Sequence, residues 1–172
     1  MSESKAVLIE LDAGSRDKFL EMAQDFKRAG ESRFQDEAAD FDAYLEQLEM
    51  YRTGDDLPDG DVASTTFFLL DGEKLVGRSS LRHELSESLA VFGGHLGYTV
   101  RPSERRKGYG SLILRLTVEK ARARGLTKVF VTCDTDNTAS AKIIEKNGGK
   151  LAGQIFYEVT GKLVSQYWIE LN

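Results

Sequence analysis

A strand, a basic turn, a long helix and a second strand follow one another without a gap, and this run limits the folds open to the chain. Leu96-Gly97-Tyr98-Thr99-Val100 reads as a strand and feeds the turn Arg105-Arg106-Lys107-Gly108-Tyr109-Gly110-Ser111. A helical pattern occupies about Lys107 to Arg124. The run Lys128 to Cys133 is short and mostly apolar, the mark of a strand buried on both faces. A strand covered on both sides needs helices on both sides, which points to an α/β fold.

The remaining patterns agree with that class. Ala6 to Leu11 is a first strand, and Phe19, Leu20, Ala23 and Phe26 form the stripe of a helix over Arg16 to Ala29. A connector, Gly30 to Asp36, leads to a second helix from about Ala38 to Arg52. Ser64 to Leu70 and Leu75 to Leu85 flank Asp71-Gly72, a strong hairpin signal. Leu89 to Val100 is expected as the strand before the basic turn. Asp136 or Asn137 opens a helix to about Asn147, and Leu151 to Val159 and Leu163 to Leu171 close the chain as a strand pair. The expected order is β-α-α-β-β-β-α-β-α-β-β, a single domain over residues 1–172 with a mixed sheet and helices on both faces.

The turn carries the chemistry. Glycines let a backbone approach a ligand closely, and the free N–H groups of a helix's first turn favour an anion. The chain has a net charge of −5, yet Arg101, Arg105, Arg106 and Lys107 gather here. A basic patch on an acidic background suggests a phosphate-bearing partner. The spacing fits neither Gly-x-x-x-x-Gly-Lys-Ser/Thr nor the dinucleotide fingerprint. What stands here is Arg-x-x-Gly-x-Gly.

That motif resembles the pyrophosphate-binding turn of the GNAT superfamily, the acetyl-CoA-dependent N-acetyltransferases. His95-Leu96-Gly97-Tyr98 is similar to the Glu-Ile-Gly-Tyr strand of ribosomal-protein-type members. Asn137, Ser140 and Gly148-Gly149 resemble the next helix of the family, with Gly149 in place of the usual Phe. The likeness runs from about Gly94 to Gly153, and beyond it only the element order agrees. It implies acetyl transfer from acetyl-CoA to a primary amine by direct attack. It implies cofactor contacts at Tyr98, Thr99, Val100, Arg105, Arg106, Lys107, Gly108, Tyr109, Gly110, Ser111 and Asn137. The strand before the turn is expected to splay from its neighbour around Tyr98 to Val100.

A lysine-like amine has a pKa near 10.4, so making it neutral at pH 7 costs about 4–5 kcal/mol, whereas an α-amine near 8 costs about 1 kcal/mol. His95 stands where the resembling strand carries a glutamate often suspected as base, and it is the first candidate for that role. His83 beside Arg82 is the second. The family's tyrosine that protonates the leaving thiolate would fall at Ile144, which donates no proton. Tyr98, Tyr157 or water would have to act instead. This departure keeps a second reading open, a catalytically silent acyl-CoA-binding or sensor domain. Other readings are an enzyme with another acyl donor and a nucleotide-binding module.

The one cysteine, Cys133, excludes an internal disulfide and a cysteine-based metal cluster within one chain; no metal is expected. The acidic balance argues against nucleic acid. The polar start and the absence of a long apolar run suggest no membrane association and a cytoplasmic location. The C-terminal strand pair is a candidate interface should the chain form a homodimer. Acids in the connector and the 53–61 loop would attract a cationic amine.

Overall fold

In the computed structural model, which describes residues 5–172, the alternation of β2 (Ser64–Asp71) sets the layers. Phe68 faces one side and packs with Phe19, Met22 and Phe26 of α1 (Arg16–Arg28) and with Phe41 and Tyr44 of α3 (Phe41–Thr53). Phe67 and Leu69 face the other side, under Leu114, Val118 and Ile113 of α4 (Tyr109–Ala123). Helices thus cover both faces, as expected. Each fully buried side chain of this size contributes roughly 1.5–3 kcal/mol.

Around β2 lie β1 (Val7–Ile9), β3 (Lys74–Arg82) and β4 (Leu96–Val100), in the order β1-β2-β3-β4. A second sheet has the order β5-β7-β6, from β5 (Lys128–Asp134), β6 (Gly149–Tyr157) and β7 (Lys162–Glu170). All the ladder pairs are antiparallel. α5 (Thr138–Lys146) buries Ile144 against β5 and β7.

The two sheets meet at one seam. The His95 N–H donates to the Phe130 carbonyl at 2.8 Å, and the Phe130 N–H donates to His95 Nδ1 at 2.8 Å. Gly94 makes the approach possible: a Cβ there would lie 2.2 Å from the Phe130 oxygen. Beyond the seam, β4 and β5 belong to separate sheets.

Three local readings change. The expected strand from Leu89 shortens to Leu96–Val100, because Gly93 (φ 98°) and Gly94 (φ 62°) take left-handed backbone and the preceding residues close into turns. The second expected helix divides into α2 (Gln35–Ala39) and α3 at Asp40, whose carboxylate accepts from the Ala43 N–H at 3.0 Å. The connector is therefore part helix. Phe34 within it also takes a left-handed φ of 67°, which its ring's burial among Phe19, Phe26 and Phe68 maintains.

Candidate functional site

Antiparallel pairing gives each strand two edges. Arg82 N–H donates to the His95 carbonyl and Arg101 N–H to the Val76 carbonyl. By alternation, Gly97 and Thr99 turn their backbone groups to β3, while Tyr98 and Val100 turn theirs toward the parting between the sheets. That parting is a cleft of about 560 Å³. Its walls are β4, the basic turn, the start of α4 and one face of α5.

The turn is shaped to receive an anion. Arg106 (φ 63°) and Gly108 (φ 87°) are left-handed on either side of Lys107. Alternation of hand aims successive backbone N–H groups into one concavity. The Leu112 N–H is bonded to the Gly108 carbonyl, so the amides of Tyr109, Gly110 and Ser111 precede the helix's own ladder and are left for a ligand. Space over Gly108 is open to 4 Å. Gly110 packs closely, its place for a Cβ lying 2.8 Å from Ile143 Cδ1.

The cleft brings together Tyr98, Thr99, Val100, Arg105, Arg106, Gly108, Tyr109, Gly110, Ser111 and Asn137. Lys107 is not among its lining residues. Its Nζ donates to Glu104 at 2.9 Å, and Lys74 does the same from the other side. Those two partners, hydrogen-bonded to a buried carboxylate, hold Glu104 below its ordinary pKa of 4.5. Most of the apparent basic patch is neutralised in this way. Arg101 is buried against Asp25 and Glu21. Arg105 forms a two-pronged pair with Glu31 at 2.6 and 3.0 Å and donates Nε to the Val100 carbonyl. Among the described residues, Arg106, Lys142 and Lys146 line the cleft with no ion pair of their own. Lys142 and Lys146 are not in the sequence-based set. Their spacing of four on α5 is the signal that would have found them.

The two imidazoles sit elsewhere. His95 is buried and does not line the cleft. Its Nδ1 lone pair accepts from the Phe130 amide, which has only a proton to give, so the neutral ring carries its hydrogen on Nε2. Burial and then Arg82 lower its pKa from 6.5. A ring so engaged has no free lone pair for an amine, and the geometry argues against the expected base role. His83 binds Thr65 Oγ1 and Arg124, each at 2.8 Å, with its pKa also lowered by burial and Arg124.

A hydroxyl pair lines the cleft instead. Tyr98 Oη and Ser140 Oγ are 2.9 Å apart. Burial raises the Tyr98 pKa above 10.0, so the phenol is protonated at neutral pH. Asn137 caps α5, its Oδ1 accepting from the Ser140 N–H at 3.1 Å. Ile144 faces the core, and its neighbour Ile143 faces the cleft. Cys133 is buried beside this pair, and burial raises its thiol.

Fold and cleft together define an α/β protein with a groove between two parted sheets, walled at one end by a basic turn and a helix start. Its sequence matches the model of the acetyltransferase (GNAT) family over residues 20–149. The chain belongs to that family. A search of curated protein sequences gives no match. Among solved structures, the ribosomal-protein-S5-alanine acetyltransferase from Vibrio fischeri aligns with a TM-score of 0.74 at 14% identity, over 100% of this chain and 96% of that one. The microcin C7 self-immunity acetyltransferase MccE, solved with acetyl-CoA and AMP, gives 0.74 at 14% identity over 98% and 93%. A spermidine N-acetyltransferase chimera from Vibrio cholerae and hSSAT gives 0.68 at 17% identity over 98% and 96%. At these identities the likeness is one of fold.

Proposed function

We propose that this chain transfers an acetyl group from acetyl-CoA to a primary amine by direct attack. The single observation that carries the reading is the cleft itself, with its left-handed turn and unused helix amides at one end and the amides of Tyr98 and Val100 at the other. The turn from Arg106 to Ser111 binds the pyrophosphate through backbone N–H groups. Arg106, Lys142 and Lys146 supply charge to the phosphates, and Asn137 faces the arm. Bound acetyl-CoA supplies a thioester-activated acetyl group. The Tyr98 and Val100 N–H groups polarise its carbonyl oxygen. As the N–C bond forms and the C–S bond breaks, the Tyr98 hydroxyl, held by Ser140, would protonate the departing sulfur, and the proton lost by the nitrogen would pass to solvent and restore the phenol. With both imidazoles engaged, the amine reaches the site neutral by its own ionisation.

Thermal unfolding with acetyl-CoA, CoA and ATP tests this on the native chain and on Gly108→Glu. At about a hundred times its dissociation constant a ligand adds roughly 2.7 kcal/mol, several degrees for a chain of this length. A rise with both CoA ligands that is lost in Gly108→Glu is the expected result. No rise in a folded sample overturns the reading.

We further propose self-association through the C-terminal strands. β6 is an edge strand with Leu151 and Phe156 exposed at 55% and 62%, and an exposed apolar edge favours pairing. Sedimentation should show a dimer that Phe156→Lys weakens; a native monomer at high concentration would rule it out.

A further inference from the structure

On the face of the first sheet turned to α1 and α3, β3 presents Arg78, Ser80 and Arg82 in succession. Register places Arg78 beside Thr99 and Ser80 beside Gly97 of β4. The space where a Gly97 side chain would stand is open to 4 Å. Two adjoining hollows of about 220 and 290 Å³ lie over this face and share Tyr51, Ser64 and Ser80. Arg78 lines one and Arg82 the other. Both hollows therefore lie on the opposite face of the first sheet from α4, beside β4 and lined by none of its residues.

The two guanidinium groups are unusual in what they lack. Among the described residues Arg78 forms no ion pair and no side-chain hydrogen bond; its guanidinium lies 5.8 Å from the Phe34 ring. Its Nε is enclosed by protein with no acceptor. A buried donor without a partner is costly, and native proteins rarely tolerate one. Arg82 is half-buried and donates to the carbonyls of Gly93 and Gly94 at 3.2 and 2.9 Å, but no carboxylate lies within 4.0 Å of it. Burial and then the charge of Arg78 depress its pKa, against the opposing pull of the Asp61 carboxylate, so the two cations feel each other. At the basic turn, by contrast, the buried Arg101 and the more exposed Arg105 each have a carboxylate partner. An oxyanion would supply the missing charge and the missing acceptor together.

Resting on the acetyl-transfer reading above, we propose that these hollows receive the acceptor and that Arg78, aided by Arg82, binds an oxyanion on it. The acceptor is then a small amine that also carries a carboxylate or a phosphate. Its amine lies over Gly97, against the β4 edge where the acetyl group arrives. Glu37 also lines the hollow of Arg78 and Asp61 that of Arg82, but neither carboxylate pairs with a guanidinium within 4.0 Å, and Asp36, Asp40 and Glu46 line a neighbouring hollow over α2 and α3.

The test uses the native chain, Arg78→Gln and Arg78→Lys, each saturated with CoA for unfolding or acetyl-CoA for turnover. The probes are L-amino acids against their C-terminal amides, phosphoethanolamine against ethanolamine, and spermidine. We expect at least one anionic amine to raise the melting temperature and to be acetylated with a KM about tenfold or more below that of its uncharged twin. Preference for the amino acids identifies a carboxylate, preference for phosphoethanolamine a phosphate. Arg78→Gln should abolish the discrimination by raising KM with little change in kcat, and Arg78→Lys should restore part of it. Ligand-free Arg78→Gln should stay folded, losing the guanidinium's contact with the Phe34 ring but no hydrogen bond. If CoA stabilises all three proteins but no anionic amine responds, or amides and spermidine do as well as acids, the inference is overturned and the cofactor reading stands. If CoA itself gives no rise, the cofactor reading falls and this one with it.

Discussion

Arg106 holds a backbone conformation that costs a non-glycine residue roughly 1–2 kcal/mol, at the one turn where a phosphate is expected. The strain is consistent with a residue kept for its charge and for the direction of its N–H. Its neighbours Arg105 and Lys107 look equivalent in sequence but are spent on Glu31 and Glu104. Sequence shows which residues are basic, not which have a carboxylate folded against them from elements dozens of residues away. The same limit applies to His95. Its neighbourhood suggested a base, yet the Phe130 amide that occupies its ring comes from another strand. Tyr98 is the residue whose loss should tell most. Tyr98→Phe should lower kcat by about 10²-fold, the low end for a positioned proton donor, with CoA affinity little changed. Steady-state kinetics and a CoA titration check both. The rate of the native enzyme should rise with pH as the amine deprotonates, with no inflection from either imidazole.

α4 and α5 were legible because each carries its own start signal. Gly108 and Gly110 open α4, and Asn137 opens α5. Their cleft-facing sides follow from helical spacing, and Lys142 and Lys146, four apart on α5, are legible by the same rule. Ile144 is different. Counting from a family motif put it at the site, whereas its position on α5 turns it into the core, 0% exposed. At this scale Asn137→Ala should cost about 1 kcal/mol through loss of the cap. It should also weaken CoA binding, because the same side chain lines the cleft. Denaturant unfolding and calorimetric titration separate the two effects. The least legible element was the stretch from Gly30 to Thr53, where a left-handed Phe34 opens a short helix inside the expected connector and the Asp40 cap divides the expected helix. The aromatic cluster that holds Phe34 there is assembled from α1, α3 and β2, so no local window contains it.

For the whole molecule, the order of elements was readable in nearly full detail, and the parting of the sheet was not visible in it as an order. It was expected only from the family likeness and from the glycines before Tyr98. The described helices include none long and apolar enough to cross a membrane. Acid should act on the fold in two stages. His83 and His95 both have pKa values lowered in the folded state, so the unfolded chain binds more protons just below pH 6.5. Stability then falls as pH drops through that value and the unfolded rings charge. Glu31 and Glu104 are lowered from 4.5 by their hydrogen-bonded cationic partners, so their contribution is present above that pH and is lost as pH falls below it. Melting temperatures between pH 8 and pH 4 should decline first near 6.5 and again below 4.5; a flat curve between 7.5 and 5.5 would contradict the histidine part.

The seam at Gly94, His95 and Phe130 has a mechanical meaning. A sheet split along part of its length resembles a torn fabric, and a tear grows from its tip. At this tip the chain has placed a glycine that lets two backbones nearly touch and a ring nitrogen in the place of a carbonyl. The imidazole is a stitch at the end of the tear. It ties the two sheets together at the point from which β4 and β5 go their separate ways.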